Sequence, residues 1–254
     1  MRKAVVIPSY RAQDTLASVI ETLPQELWED GSIAVIVNDG SPDQTGEVAD
    51  QLQRDHPGRV HVIHHPRNRG YGGALKTGLR YGLDEGFEIM PVVHSDGQYA
   101  PDQVLRLCTP IEEGYLALVQ GSRVLGGGAR EGGMPFSRYL ANRLLTRFEN
   151  LVVGSSVAEF HSGYMVYPAE ALRRVPFEAL QNNYCFDAEM MMLATLAKIP
   201  IVEIAIPTRY DDETSSLDPI PYGLNVLRMT ARYDLGHYRL LLDQHEAAHP
   251  ELGS

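Results

Sequence analysis

The sequence predicts an α/β fold: a mostly parallel central sheet with helices on both faces, followed by a C-terminal helix. Three observations carry this. Short, nearly continuous apolar runs recur through the first half, as strands buried on both faces require. Segments with apolar residues at helical spacing stand between them. Turn-forming and helix-start residues mark the junctions. Strands and helices that alternate in this way build a parallel sheet through crossover connections.

The elements follow in order. "KAVVIP" is a buried strand, and "AQDTLASVIETL" is a helix with Leu16, Val19, Ile20 and Leu23 on one face. "IAVIVND" is the second strand, and Ser-Pro-Asp opens the helix "SPDQTGEVADQLQRD". "VHVIHH", the small-residue helix "GYGGALKTGLRYGLDEG", "EIMPVV", the Pro-led helix "PDQVLRLCTPIEEG" and "YLALVQGS" complete the regular half. The pattern then breaks at "VLGGGAREGGMP", whose five glycines predict a mobile loop. A helix "FSRYLANRLLTRFENLVVG", a loop, strand and helix in "EFHSGYMVYPAEAL", and a helix in "NNYCFDAEMMMLATLAKI" come next. The methionines of that last helix read as core. "IVEIAIPTRY" is one long strand or a pair, "DDETSSLDP" a polar loop, and "YGLNVLRMTARYDLGHYRLLLDQ" a single C-terminal helix. The expected organisation is one domain over residues 1–215 with a helical extension, 216–254, packed on it.

The length of 254 residues suits one large α/β domain, and 44% hydrophobic residues suffice for its core. A formal net charge of -11 argues against nucleic acid as partner, since a phosphate-tracking surface needs an excess of Lys and Arg. The two cysteines, Cys108 and Cys185, read as buried free thiols of a reducing compartment. "MRKAVVIPSY" is too briefly apolar for a signal peptide, and no window approaches the roughly 20 apolar residues of a membrane span. These features predict a cytoplasmic protein, at most peripheral to the inner face of the membrane.

Unusual residues collect at the strand ends: Pro8-Ser9-Tyr10, Asn38-Asp39-Gly40-Ser41, Asn68-Arg69-Gly70, His94-Ser95-Asp96 and Gly121-Ser122-Arg123. A parallel sheet brings all of these to one rim, where such folds bind ligands. Taken alone, "HSDGQ" is either a metal site or a polar turn, and "NDGS" is equally good turn sequence.

Together, "VVIPSY", "VNDGSPDQT", "NRGYGGALKTGL", "HSDGQYAP", "GSR", "SGYMVY" and "FDAEMM" resemble family-2 glycosyltransferases of the GT-A fold. Within these the chain looks most like the dolichol-phosphate (polyprenyl-phosphate) sugar synthases, over roughly residues 3–215. "GGMP", "ANRLLTRFEN", "EFHSGY" and "RYDDETSS" resemble a branch of that group without transmembrane helices. The resemblance implies a nucleotide-diphosphate sugar donor, such as a UDP- or GDP-sugar, and a divalent metal, Mn²⁺ or Mg²⁺. Asp39 would accept from the base edge, and Pro8, Ser9 and Tyr10 would line base and ribose. Arg69, Gly70 and Gly73 would admit the diphosphate at a helix N-terminus, or the glycines would serve only close packing. The family's metal ligands are an acid-x-acid pair followed by Gln. The matching positions are His94, Asp96 and Gln98, so an imidazole replaces the first acid. Nitrogen shifts preference from Mg²⁺ towards Mn²⁺, unless His94 touches phosphate only.

Arg123 suits a phosphate contact, with a surface salt bridge as its alternative. Arg130 and Arg138 flank the glycine-rich loop, and Arg209 either contacts the donor or pairs with Asp211 or Asp212. A lipid-phosphate acceptor is already an anion and needs no general base; a hydroxyl acceptor needs one. Glu159, His161, Asp187 and Glu189 are the candidates, with one of the last two expected to cap its helix while the other faces the site. The last helix, with Arg228, Arg232, Arg239, Tyr233 and Tyr238, fits a membrane surface, or helix packing and a homodimer. Three classes result: transfer to a polyprenyl phosphate, transfer to a small soluble hydroxyl acceptor, and non-catalytic nucleotide binding or nucleotidyl transfer. A nucleotidyltransferase would show glycines after its first strand, and "PSYRAQDT" has none.

Overall fold

The computed structural model describes residues 1–125, 136–207 and 219–252. Most of the glycine-rich and acidic loops lies outside the described residues, as do Arg130 and Arg209. Strands β1 (Ala4–Ser9), β2 (Ile33–Asn38) and β3 (Val60–His64) form a parallel sheet. Strands β4 (Ile89–Pro91), β5 (Leu118–Ser122), β6 (Met165–Pro168) and β7 (Ile201–Ala205) form a mixed one, in the order β4-β6-β5-β7. Parallel bridges Lys3–Ile89 and Val6–Val92 join the two through β1 and β4.

Among the described residues, six of the seven strands point the same way. β6 alone is antiparallel, and it pairs with both β4 and β5. The mostly parallel sheet is therefore as predicted, but β4 and β5 are not neighbours. The inserted strand also explains why "HSG" reaches the rim: the other strands end there, and β6 begins there.

Strand β1 shows why continuous apolar runs mark this architecture. Successive side chains alternate between faces. Ala4 and Val6 enter one core with helix α3 (Tyr71–Asp84), while Val5 and Ile7 enter the other with helix α1 (Leu16–Thr22). Helices α2 (Thr45–Asp55), α4 (Val104–Glu112), α5 (Phe136–Val153), α6 (Ala169–Arg174) and α7 (Phe186–Leu196) complete the layers. Met190, Met191 and Met192 are wholly buried in α7, as core residues. "IVEIA" is one strand.

The predicted C-terminal helix is two, α8 (Pro219–Asp234) and α9 (His237–Ala248). Gly236 separates them at φ 78°, a left-handed conformation that ends a helix and that glycine adopts at little cost. Helix α8 packs on α5, and α9 on α7, where the Tyr238 hydroxyl donates to Glu189.

Both cysteines are buried and free, and burial pushes each thiol up to about 12. The thiolate is the reactive form. The native protein should therefore resist a thiol-specific chromophoric reagent at pH 8, and both residues should react once it is unfolded in urea. Rapid labelling of the native chain would contradict this packing.

Candidate active site

The strand ends open into a cleft of about 1220 Å³. Its walls include Pro8, Ser9, Tyr10, Asp39, Arg69, Gly70, His94, Asp96 and Gln98, so most of the predicted donor and metal residues meet in one place. Gly73, Arg123, Glu159, His161, Asp187 and Glu189 are not among the walls.

Asp39 is 3% exposed and already engaged. Its Oδ1 accepts from the Arg69 backbone N–H at 2.8 Å and lies 2.6 Å from His65 Nδ1; its Oδ2 accepts from the Gly70 N–H at 2.9 Å. The carboxylate thus ties the end of β2 to the loop before α3. It does more than turn its own chain, and it retains lone-pair capacity, since a carboxylate offers about four acceptor sites.

The glycines at the start of α3 serve close packing, but against a loop and not the sheet. A Cβ on Gly70 would lie 2.4 Å from the Asn182 carbonyl oxygen, and one on Gly72 2.5 Å from that of Gln181. Gly73 faces Arg69 and Asn182 side chains. Lys76 secures the same loop, donating to the Leu180 carbonyl and, at 2.7 Å, to Asn182 Oδ1. Lys76, Asn182 and Tyr184 also line the cleft.

Asp96 is exposed at the cleft, and its Oδ1 accepts from the Gln98 backbone N–H at 3.0 Å. His94 sits deeper, caged by aromatic rings. Tyr99 meets it edge-on at 4.8 Å between centroids, and the Tyr71 hydroxyl lies 3.1 Å from its Nε2. Burial lowers the His94 pKa, opposed in part by the charge of Asp96 and by a hydrogen bond to the Gly163 backbone, which favours the neutral ring that can act as a ligand. Among the described residues no group of three or more His, Cys, Asp or Glu side chains could hold a metal. One carboxylate, one imidazole and one amide therefore make a partial site. That donor set fits a cation whose remaining ligands come from a diphosphate and water, as for ions that keep few protein ligands.

Behind Tyr99 lies a second, buried cluster. Arg123 stands over the Tyr99 ring at 5.6 Å. Its Nε donates to Glu159 Oε1 at 3.1 Å, its Nη2 to the same oxygen and to the His161 carbonyl, and its backbone N–H to Glu159 Oε2. Asn142 Nδ2 also donates to Glu159, at 3.2 Å. Glu159 is wholly buried and Arg123 14% exposed, so this is a buried ion pair and not a surface one. Glu159 is not among the walls of the cleft. His161 lies between the Tyr222 hydroxyl of α8, 2.8 Å from Nδ1, and Glu149 of α5, 3.0 Å from Nε2.

Asp187 and Glu189 part company, though neither caps α7, which begins after Cys185 with no side-chain cap. Asp187 accepts from the Tyr71 hydroxyl at 2.8 Å and the Tyr167 hydroxyl at 2.7 Å, next to His94. Burial pushes its carboxyl up to about 7 against the lowering effect of those two bonds. Glu189 faces away. It accepts from the Gln181 backbone and side chain at 2.7 and 2.8 Å, and from Tyr238, so it anchors the cleft loop to α9. Sequence reading misses Tyr71, Tyr167, Glu149 and Lys76. Only Lys76, a cation inside the glycine-rich "GGALKTG", carried a signal.

Residues 4–175 match the family described as glycosyl transferase family 2. The chain is 30% identical over 207 residues to the undecaprenyl-phosphate mannosyltransferase of Micrococcus luteus, covering 81% of this chain and 83% of that one. It is 29% identical over 206 residues to the polyprenol monophosphomannose synthase of Mycolicibacterium smegmatis, covering 81% and 76%. Among solved structures, glucosyl-3-phosphoglycerate synthase from Mycobacterium tuberculosis with uridine diphosphate superposes with a TM-score of 0.64 at 21% identity, over 92% of this chain and 80% of that one. The same enzyme with Mn²⁺, uridine diphosphate and glucosyl-3-phosphoglycerate gives 0.62 at 20% identity, over 93% and 80%. That likeness gives the fold, GT-A. The family match, reaching from β1 through α6 and enclosing the strand ends that open into the cleft, makes this chain a member of glycosyl transferase family 2.

Proposed function

We propose that the protein is an inverting, metal-dependent glycosyltransferase that moves a hexose from a nucleotide-diphosphate sugar to a polyprenyl phosphate. The observation that carries this reading is the cleft at the strand ends, with Asp39 and Asp96 on its walls, in a chain 30% identical to an undecaprenyl-phosphate mannosyltransferase. Pro8, Ser9, Tyr10 and Asp39 hold the nucleoside, and Arg69 stands beside the diphosphate. Asp96, Gln98 and His94 would hold a divalent cation, which supplies Lewis-acid stabilisation of the departing diphosphate.

An acceptor phosphate oxygen attacks the anomeric carbon in line as the bond from that carbon to the diphosphate breaks. Chemistry with an anionic nucleophile agrees with the cluster behind Tyr99, where Glu159 is occupied by Arg123 and does not face the cleft.

The lipid reading has a second support. Among the described residues no helix is long and apolar enough to cross a membrane. Yet Leu140, Leu144, Phe148 and Leu151 are exposed at helical spacing on α5 with Arg147 among them, and Leu224, Leu227 and Arg228 are exposed on α8. An apolar face set with arginines, on a chain of net charge -11, suits an anionic bilayer surface.

The test is transfer from UDP-, GDP- and dTDP-sugars, with and without Mn²⁺, to a short polyprenyl phosphate or its alcohol in anionic vesicles. Metal-dependent transfer to the phosphate alone is expected. Transfer only to the alcohol, or to a small soluble acceptor, would overturn the lipid-phosphate assignment. No turnover and no nucleotide binding across the donors would overturn the enzyme.

A further inference from the structure

The Tyr71 hydroxyl has one proton and two neighbours. It donates to Asp187 Oδ2 at 2.8 Å, and His94 Nε2 lies 3.1 Å away on its other side. In its ionised form Asp187 only accepts, so the tyrosine proton goes to it and the tyrosine oxygen is left to accept from His94. Tyr167 donates to Asp187 Oδ1 at 2.7 Å, so each carboxylate oxygen is held by one tyrosine. The Gly163 backbone also hydrogen-bonds the ring and lies on its Nε2 side, so these bonds together place the imidazole proton on Nε2, pointing into the protein, and leave Nδ1 with its lone pair.

The cage around His94 holds this orientation. Tyr184 stacks on Tyr71, with centroids 5.4 Å apart and planes 21° apart, which fixes the phenol from the cleft side. Gly163 closes the other side: a Cβ there would lie 2.5 Å from His94 Nε2 and 2.9 Å from the Tyr71 oxygen. Asp187, Tyr167 and Tyr71 come from α7, β6 and α3, which share one core, and Tyr71 carries the contact from Asp187 to the imidazole.

We propose that Asp187 and Tyr71 are positioning residues that fix the tautomer and orientation of His94 so that Nδ1 is presented to a divalent cation bound by Asp96. The chain thus replaces the missing first carboxylate by an oriented, neutral nitrogen ligand, and its selectivity moves towards Mn²⁺ over Mg²⁺. This rests on the metal-dependent reading above, and the experiment separates the two.

Mn²⁺ binding to the full chain is measured at pH 8 by electron spin resonance, with GDP and separately with UDP present, and the bound ion is examined for magnetic coupling to ¹⁴N. Wild type should show imidazole coupling, and H94A should not. Y71F and D187N should weaken Mn²⁺ about 10-fold or more, the usual effect of losing a group that orients a metal-bound histidine, and change Mg²⁺ affinity less. In the H94D background, Y71F should have no effect on Mn²⁺ affinity, because an aspartate needs no tautomer. A general packing role for Tyr71 would weaken binding in both backgrounds, and that result would overturn the proposal. Absence of ¹⁴N coupling in a wild type that still transfers sugar with Mn²⁺ would overturn it too, while leaving the glycosyltransferase reading intact.

Discussion

Replacing Asp96 by Asn should lower metal-dependent turnover by about 10²–10³-fold while leaving the fold unchanged. The size follows from losing electrostatic stabilisation of a departing diphosphate, an effect of about 3–4 kcal/mol when one such contact is removed from an active site. The unchanged fold follows from what Asp96 touches. It is exposed, and it accepts from the Gln98 backbone N–H two residues on, a turn that asparagine closes equally well. The substitution therefore removes charge and little else. Initial rates at saturating Mn²⁺, read beside a thermal midpoint, check both halves. Wild-type activity in D96N would remove this residue from the site.

The largest effect on stability should come from Glu159→Ala. The side chain is wholly buried and holds Arg123 by its guanidinium and its backbone, with Asn142 as a further donor. Truncation leaves a mostly buried guanidinium without its counter-charge, which costs about 3–5 kcal/mol. Glu159→Gln keeps the shape and part of the bonding and should cost less. Urea denaturation followed by circular dichroism compares them. If the alanine variant lost less than about 1 kcal/mol, the pair would have to be far better solvated than its burial implies.

Much of the fold was legible in the residues, for a physical reason: a strand buried on both faces has no polar side, so "KAVVIP" and "IAVIVND" admit few other readings. The cleft was legible by the same logic, since parallel strands deliver their final residues to one edge. The direction of β6 was not. "MVYP" is four buried residues long, and a strand buried on both faces carries no mark of its orientation. The division of α8 from α9 was signalled by Gly236 within "DLGHY", but the surrounding helical spacing masked it.

Roles within the site were hardest to read. Glu159 and Arg123 are 36 residues apart and meet only because β6 runs beside β5. Asp187 and Glu189 look equivalent in "FDAE", and only the placement of Tyr71 on one side and Tyr238 on the other separates them. Tyr71 itself was hidden by its setting, an aromatic residue between two glycines of a motif read for its glycines.

The antiparallel strand also sets an order of assembly. β1 pairs with β2 through residues as near as Ala4 and Ile33, and β2 with β3 through Ala34 and Val60. β6 reaches β4 through residues no nearer than Pro91 and Val166. Long loop closure is met before it is rewarded, and synthesis delivers the N-terminal residues first. On a ribosome the three strands β1, β2 and β3 are thus made while residues 159–168 are still to come. The ring of His94 stays uncaged until Gly163 and then Tyr184 and Asp187 arrive, so the order of synthesis makes this buried corner of the cleft among the last to close.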